Sequence, residues 1–123
     1  PFREAVKSTN NLSGKNKDTY QINIANFKEA FLESHIDIQE GADFLMVKPG
    51  MPYLDVLYNL TQKVYLPVFT YQVSGEYAMI KNAINSEILT ESAILESLIS
   101  FKRAGARGIL SYFAIEIAEK ISS

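Results

Sequence analysis

Apolar and polar positions recur along this chain with two different periods, which predict helices and strands in turn. After a polar stretch over residues 4–20, apolar residues return every three or four positions across 27–38, the spacing of one buried helix face. Asn26, with a glutamate three positions later, can cap the start of this helix, and Gly41 can end it. A short apolar run then predicts a strand near 43–48.

The same alternation continues to the end of the chain. Pro52 suits the first turn of a helix, Thr90 can cap another, and Gly105 can end that one. The further predicted elements are a helix over 52–64, a strand near 67–73, a short helix over 76–84, a helix over 91–104, a strand near 108–113 and a helix over 114–120. Strands that alternate with helices form parallel β/α units. Three units leave sheet edges open, so the pattern predicts an α/β fold cut from an eight-unit barrel.

Composition narrows the range of partners and compartments. The chain has 123 residues, enough for one domain at most, and its net charge of -2 favours neither nucleic acid nor an anionic membrane. It has no cysteine, so disulfides and thiolate metal sites are excluded within it. We see neither a signal peptide nor an apolar run of transmembrane length, and we predict a cytoplasmic protein. A start at Pro1 rather than methionine suggests a segment of something longer.

Lys48 is the first candidate for chemistry. Four apolar residues lead up to it, and Pro49 directly after it ends the strand. An amine at the end of an apolar strand is expected to be desolvated, which disfavours the ammonium form, and a neutral lysine is the nucleophile that forms Schiff bases with carbonyl substrates. The alternative is a lysine that leaves the sheet and points into water.

A repeated spacing places two hydroxyl groups near Lys48. Lys48 lies seven residues after Gly41, Tyr112 lies seven after Gly105, and Ser74 lies seven after the proline that opens the second strand. The spacing predicts equivalent positions for all three residues at the carboxyl ends of adjacent parallel strands, the edge where barrel enzymes carry their active sites.

These hydroxyl groups suggest binding rather than hydrolysis. No histidine or aspartate base accompanies them, and the only histidine, His35, lies on a helix, where a surface or interface role is expected. Two neutral donors suit a substrate carboxylate. Alternatively, Ser74 only caps the next helix and Tyr112 packs with its hydroxyl at the surface.

The sequence also closely resembles the C-terminal part of the porphobilinogen synthase (5-aminolevulinate dehydratase) family. The motifs that carry the resemblance span the whole chain in order: Pro-Phe-Arg-Glu-Ala at 1–5, Thr-Tyr-Gln at 19–21, Gly-Ala-Asp-Phe-Leu-Met-Val-Lys-Pro-Gly at 41–50, Pro-Tyr-Leu-Asp at 52–55, Tyr-Gln-Val-Ser-Gly-Glu-Tyr-Ala-Met-Ile-Lys at 71–81, Lys-Arg-Ala-Gly-Ala at 102–106 and Ser-Tyr-Phe-Ala at 111–114. The resemblance implies the C-terminal three β/α units of a TIM (β/α)8 barrel. It also implies an enzyme that condenses two 5-aminolevulinate molecules into porphobilinogen with loss of two waters.

The resemblance assigns roles to individual residues. Lys48 matches the family's Schiff-base lysine, Ser74 and Tyr112 match groups that hold the carboxylate of the same substrate, and Tyr71 is expected beside that substrate. The residues expected to bind the second substrate lie in the polar N-terminal region: Arg3, Lys17 and Gln21. Lysine at 17 stands where many members carry arginine, so it keeps the charge and loses the bidentate fork.

The resemblance also divides the chain and implies partners. Residues 1–21 become an active-site lid that excludes water from the imine, and 22–123 become the β/α units. Glu33 matches a magnesium ligand of some bacterial members, although a solvent-facing helical glutamate is an equal alternative. The active-site metal, zinc or magnesium, has its ligands outside this chain. The expected assembly is a homo-oligomer, commonly an octamer.

Two competing functions remain open on the sequence. A different Schiff-base barrel enzyme, such as a class I aldolase, would suit Lys48 equally well. A truncated copy that only binds or assembles is the non-catalytic alternative. The family's second lysine and its metal ligands are expected upstream of Pro1, so we predict that the isolated segment is inactive and, if it folds, that it self-associates through exposed apolar sheet edges.

Overall fold

The computed structural model describes residues 24–123, which form a three-stranded parallel sheet. In chain order the elements are α1 (Phe27–Gln39), β1 (Leu45–Val47), a 3-10 turn (Met51–Tyr53), α2 (Leu54–Lys63), β2 (Val68–Gln72), α3 (Ser74–Asn85), α4 (Ser92–Arg103), β3 (Gly108–Ser111) and α5 (Ala114–Ser122). The strand order is β1-β2-β3, and both pairs are parallel. The predicted alternation of strands and helices is therefore confirmed. Residues 1–21, predicted as a lid, lie outside the described part of the chain.

Each strand is shorter than the sequence pattern predicts. The strands predicted near 43–48, 67–73 and 108–113 span Leu45–Val47, Val68–Gln72 and Gly108–Ser111. The last strand ends early because the Ser111 hydroxyl accepts the Phe113 N–H at 3.1 Å, which turns the chain away from the sheet. Phe113 then lies fully buried between helices rather than in the strand.

The main core lies between one face of the sheet and two helices. Leu45, Val47 and Val68 alternate along their strands toward this face, where they meet buried side chains of α2 and α4: Leu57, Leu60 and Phe101. A second cluster joins α3, α4 and α5 through Ile80, Ile94, Phe113 and Ile117. Leu57 and Leu60, three residues apart, lie on the one face of α2 that this core buries.

No described element covers the opposite face of the sheet. We call it the open face and define it by the side chains that alternate with the buried ones: Phe44, Met46, Phe69, Tyr71, Leu110 and Tyr112. Phe44, Leu110 and Tyr112 keep 52%, 44% and 59% of their surface exposed, so helices pack on only one side of the sheet in residues 24–123. Phe69 lies across the position where a Cβ on Gly108 would stand, 2.4 Å from its ring.

The cap predicted for α4 is wrong. Thr90 was expected to cap α4, but the helix begins at Ser92 with Glu91 at the cap position and no capping side-chain bond. The Thr90 hydroxyl instead pairs with the Ser92 hydroxyl at 2.6 Å. The cap predicted for α1 is present, since the Asn26 side chain accepts the Glu29 N–H.

Candidate active site

Lys48 lies one residue beyond the end of β1, at the carboxyl edge of the sheet. Leu45 and Val47 face the helices, so the strand alternation places Lys48 on the open face. Its side chain is exposed, and the expected desolvation is absent in the part of the chain that the structure describes. Of the apolar run before Lys48, only Leu45 and Val47 are buried against the helices. Lys48 lies on the open face, which no described residues cover.

Tyr71 and Tyr112 meet on the open face, where the strand alternation also places Lys48. The Tyr71 hydroxyl donates to the Tyr112 hydroxyl at 3.3 Å, and the ring centroids lie 6.3 Å apart. This hydrogen bond, with a smaller effect of burial, raises the pKa of Tyr71 above the ordinary 10.0, because ionisation would remove the donated proton. Tyr77 packs against Tyr112 from the first turns of α3, with 5.6 Å between centroids.

Ser74 is the first residue of α3, a helix of 12 residues. It is half-buried, directly after the edge of β2. The N-terminus of a helix offers free N–H groups and the positive end of the helix dipole. A hydroxyl at this position adds a donor that suits an anion.

The predicted equivalence of Lys48, Ser74 and Tyr112 is wrong in register. Val47 pairs with Thr70 and Gln72 pairs with Ser111, so continuing the ladder sets Lys48 level with Tyr71 and Leu110. Tyr112 then lies two positions further out, about 7 Å along the strand direction, and Ser74 lies further still. Counting from Gly41 and Gly105 failed because the connections that follow these glycines enter the sheet at different levels. Lys48, Ser74 and Tyr112 therefore lie at the same edge of the sheet but at different positions along the strand direction.

Glu76 is a buried residue of this edge to which the sequence analysis assigned no role. It is fully buried, and its two carboxylate oxygens accept three backbone N–H groups. Oε2 accepts from Gly50 at 3.0 Å and from Val73 at 2.8 Å, while Oε1 accepts from Met51 at 2.6 Å. The position of Glu76 three residues after a helix cap could have indicated the Val73 bond. The bonds to the loop after β1 depend on tertiary contact.

Gln72 forms a second buried polar link at this edge. Its Oε1 accepts the Ser111 hydroxyl at 2.7 Å, and its Nε2 donates to the Ser97 hydroxyl at 3.0 Å. Because the same Ser111 hydroxyl accepts the Phe113 N–H, the network fixes both residues that flank Tyr112. All buried side-chain polar atoms in the described residues have partners.

The remaining predicted site residues lie elsewhere. Arg3, Lys17 and Gln21 lie outside the described residues. Glu33 is exposed on α1, as is His35, whose Nδ1 lies 2.9 Å from the Phe31 carbonyl oxygen. Within residues 24–123, no three His, Asp or Glu side chains converge to form a metal site. Glu33 could supply one magnesium ligand, but the described residues do not complete a ligand set around it.

Two shallow cavities lie away from this edge. One, of about 290 Å³, opens between α2 and α4 beside Tyr58 and Arg103. The other, of about 300 Å³, lies at the amino ends of β2 and β3 beside Pro67 and Arg107. Neither is lined by Lys48, Ser74 or a residue of the tyrosine pair, so neither changes the choice of candidate site.

The candidate site combines an amine, two phenols and a helix N-terminus at the carboxyl edge of a parallel sheet, and these features define the class of protein. The chain is a β/α protein with its candidate chemistry at the edge where such proteins bind ligands. Comparison with known proteins then identifies the family. The family model described as Delta-aminolevulinic acid dehydratase matches residues 1–120, and the chain belongs to this family, whose members are lyases of porphyrin biosynthesis.

Individual relatives agree with the family model. Delta-aminolevulinic acid dehydratase of Bradyrhizobium diazoefficiens is 54% identical over 122 residues, which cover 98% of this chain and 34% of that protein. The Archaeoglobus fulgidus protein of the same name is 48% identical over 121 residues, covering 98% and 37%. The chain thus spans about a third of the length of these relatives.

A solved structure agrees with the observed fold. The crystal structure of delta-aminolevulinic acid dehydratase (porphobilinogen synthase) from Toxoplasma gondii ME49, in complex with the reaction product porphobilinogen, matches with a TM-score of 0.83 and 49% identity. The match covers 87% of this chain and 31% of that chain. Among residues 24–123, no helix is long and apolar enough to cross a membrane.

Proposed function

We propose that this chain provides one substrate site of a porphobilinogen synthase, which condenses two 5-aminolevulinate molecules into porphobilinogen and releases two waters. The observation that carries the proposal is the Tyr71–Tyr112 hydroxyl pair on the open face, where the strand alternation also places Lys48, with Ser74 at the adjoining helix start. Membership of the delta-aminolevulinic acid dehydratase family supports the choice of substrate.

In this proposal Lys48 is the nucleophile. Its neutral Nζ adds to the keto carbon of 5-aminolevulinate, and loss of one water leaves a C=N bond between lysine and substrate. A neutral amine requires that the open face be covered, because an exposed lysine stays protonated in water. We propose that further strands of a TIM (β/α)8 barrel, of which residues 1–123 form the C-terminal part, supply that cover.

Ser74 and Tyr112 hold the substrate carboxylate in this proposal. Both are neutral hydroxyl donors, and Ser74 adds the N–H groups and dipole of α3, so the site can bind an anion without a cation beside the reactive amine. Tyr71 lies level with Lys48 and donates to Tyr112, which would orient the Tyr112 hydroxyl proton toward the substrate. Binding the carboxylate places the keto carbon within reach of the amine.

The remaining predicted residues complete the proposal. Arg3, Lys17 and Gln21 would bind the second substrate, and residues 1–21 would close over the site and exclude water. Glu33 would supply one magnesium ligand at a subunit contact in a cytoplasmic homo-oligomer, with an octamer expected. An active-site zinc or magnesium, if bound, would draw its ligands from outside this chain. We propose that the chain by itself is inactive.

Borohydride trapping tests the proposal. The full-length gene product is incubated with 5-aminolevulinate, reduced with borohydride and mapped by mass spectrometry. We expect an adduct on Lys48 that disappears in Lys48→Met, while Lys102→Met, which removes an exposed lysine at the end of α4, keeps it. If reduced protein carries no adduct on Lys48, the proposed role of this residue is wrong.

The same experiment separates the two competing functions. A class I aldolase-like enzyme would trap an aldol substrate on Lys48 and leave 5-aminolevulinate unreacted. A non-catalytic copy would trap neither compound and would form no porphobilinogen. Porphobilinogen formation together with the Lys48 adduct supports the proposed synthase over both.

A further inference from the structure

We propose that Glu76 is the positioning residue of the Lys48 site, holding the loop that carries the amine against the helix start that carries Ser74. The inference deepens the proposed function and rests on it. Glu76 touches neither the open face nor a substrate group; it acts through the backbone. The geometry that points to it is the set of three N–H groups that converge on one buried carboxylate.

The loop after β1 contains backbone donors that have no partners in the sheet. Ladder pairing of β1 ends at Val47, so the N–H groups of Gly50 and Met51 lack partners in the sheet. Glu76 accepts both, at 3.0 Å and 2.6 Å. Hydrogen bonds from an N–H to a carboxylate are about twice as strong as those between neutral groups, so this contact can fix a loop that the sheet leaves free.

Little space is left around the loop at Gly50. A Cβ on Gly50 would lie 2.6 Å from the Phe101 ring and 2.8 Å from the Thr70 hydroxyl, so the backbone of Gly50 is packed tightly against both. The Thr70 hydroxyl also donates to the Val47 carbonyl at 3.1 Å. Lys48 is therefore held on both sides, through Val47 before it and through Gly50 after it.

Glu76 also links the loop to the start of α3. The oxygen of Glu76 that accepts Gly50 also accepts Val73 at 2.8 Å, the residue directly before Ser74. One carboxylate thus joins the backbone on both sides of the site, and its position sets the separation between the Lys48 amine and the Ser74 hydroxyl. An imine forms quickly only when the carboxylate is bound and the keto carbon is aligned at the same moment.

This role predicts a change in the preference between two ketones that a general loss of stability would not produce. A ketone without a carboxylate needs only the amine. In contrast, 4-oxopentanoate, which is 5-aminolevulinate without its amino group, needs the amine and the hydroxyl at the correct separation. Loss of Glu76 should therefore remove the advantage of 4-oxopentanoate over butanone and leave the reaction of butanone nearly unchanged. A merely structural contact would lower both reactions together.

The experiment measures the rate of borohydride-trapped adduct on Lys48 with each ketone in the full-length gene product. Glu76→Gln keeps the shape but replaces one accepting oxygen with an NH2 group that faces an N–H donor. Glu76→Asp keeps the charge but is one methylene too short to reach all three donors. We expect the ratio of the 4-oxopentanoate rate to the butanone rate to fall about 10- to 100-fold in both variants. Misplacement of the reacting groups by about 1 Å has effects of this size.

Thr61→Ala is the matched control. It removes a half-buried hydroxyl that is shared between the Tyr58 and Ala104 carbonyl oxygens, at 2.7 Å and 3.0 Å, far from Lys48 at the opposite edge of the sheet. We expect a lower melting temperature and an unchanged rate ratio. A Glu76→Gln protein that folds and keeps the ratio of the wild type overturns the inference alone, whereas absence of any Lys48 adduct in the wild type overturns the proposed function with it.

Hydrogen exchange covers the case in which neither Glu76 variant folds. In the wild-type protein, the amides of Gly50 and Met51 should exchange as slowly as those of β2, although no strand pairs with them. Slow exchange of both amides supports the positioning role, and exchange at the rate of a free loop overturns it.

Discussion

At the scale of single residues, the site depends on two polar contacts with different consequences. The Tyr71–Tyr112 pair lies on the open face and joins two hydroxyl groups at 3.3 Å. The Glu76 carboxylate lies fully buried behind the same edge and joins three backbone donors. The first contact decides where a hydroxyl proton points, and the second decides where the backbone of the site lies.

The tyrosine pair yields a prediction about pH. The hydrogen bond that Tyr71 donates raises its pKa above 10.0 in the folded protein, so the neutral phenol is favoured by folding. The stabilisation from the pair is therefore fully present below the ordinary tyrosine pKa and is lost as the pH rises through the raised value. Tyr112→Phe should return the Tyr71 titration toward the ordinary pKa, as measured by ring-carbon shifts of isotope-labelled tyrosine in the unliganded protein.

Tyr58→Phe serves as the control for this titration. Tyr58 is 53% exposed on α2, away from the pair, and its removal should leave the titration of Tyr71 unchanged. Identical Tyr71 curves in the wild type and in Tyr112→Phe would show that the pair does not determine this pKa.

At the scale of elements, two helices end in the same way. After α1, the Gly41 N–H donates to Ile38 and the Ala42 N–H donates to Asp37; after α4, Gly105 donates to Lys102 and Ala106 to Phe101. Both glycines adopt positive φ angles, +93° and +98°. These are Schellman motifs, and they explain why the repeated Gly-Ala pair predicted both helix ends correctly.

The two glycines differ in their surroundings, which gives a paired prediction. A Cβ on Gly41 meets nothing within 4 Å, so Gly41→Ala should lower the free energy of unfolding only by its backbone strain, about 1–2 kcal/mol. A Cβ on Gly105 would lie 2.7 Å from the Thr61 hydroxyl and 3.0 Å from its Cβ, so Gly105→Ala should cost about 1–3 kcal/mol more. Denaturant unfolding of both variants measures the difference.

A third protein isolates the steric part of this effect. In Thr61→Ala/Gly105→Ala the clashing hydroxyl is gone, so the additional cost of the Gly105 change should shrink relative to Thr61→Ala alone. Equal destabilisation by the two glycine changes would contradict the steric explanation.

At the scale of the whole molecule, the described residues form two layers, a sheet and the helices packed on one of its faces. Helices cover one face of the sheet, and β1 and β3 are edge strands in residues 24–123. The open face carries Phe44 and Leu110 at 52% and 44% exposure. Apolar side chains on a sheet face with open edges favour pairing with another chain.

We therefore expect the 123-residue chain, produced alone, to self-associate. Phe44→Lys with Leu110→Lys should weaken the association, because both charges lie on the open face. Ile115→Lys with Ile121→Lys changes two residues of α5 that are exposed to a greater extent, at 76% and 70%, and should have a smaller effect. Sedimentation over a range of concentrations measures the association. A monomeric wild-type chain, or equal effects of both pairs of changes, would show that the open face does not drive it.

The sequence by itself determined features that depend on local spacing. Helical periodicity and the Gly-Ala pairs predicted the order of helices and strands, and the motifs predicted the family correctly. These features depend on residues within one or two turns of each other, so they are readable along the chain. The cap predicted at Thr90 is wrong: α4 begins at Ser92, and the Thr90 hydroxyl pairs with the Ser92 hydroxyl.

Only the tertiary structure decided how the elements meet. The ladder between Val47 and Thr70 set Lys48 level with Tyr71 rather than with Ser74, and the absence of any described cover left Lys48 exposed. Glu76 acquired its role only when a loop 25 residues earlier in the chain came within hydrogen-bond distance. Register and long-range polar contacts depend on which surfaces pack together, and a spacing along one chain does not contain that information.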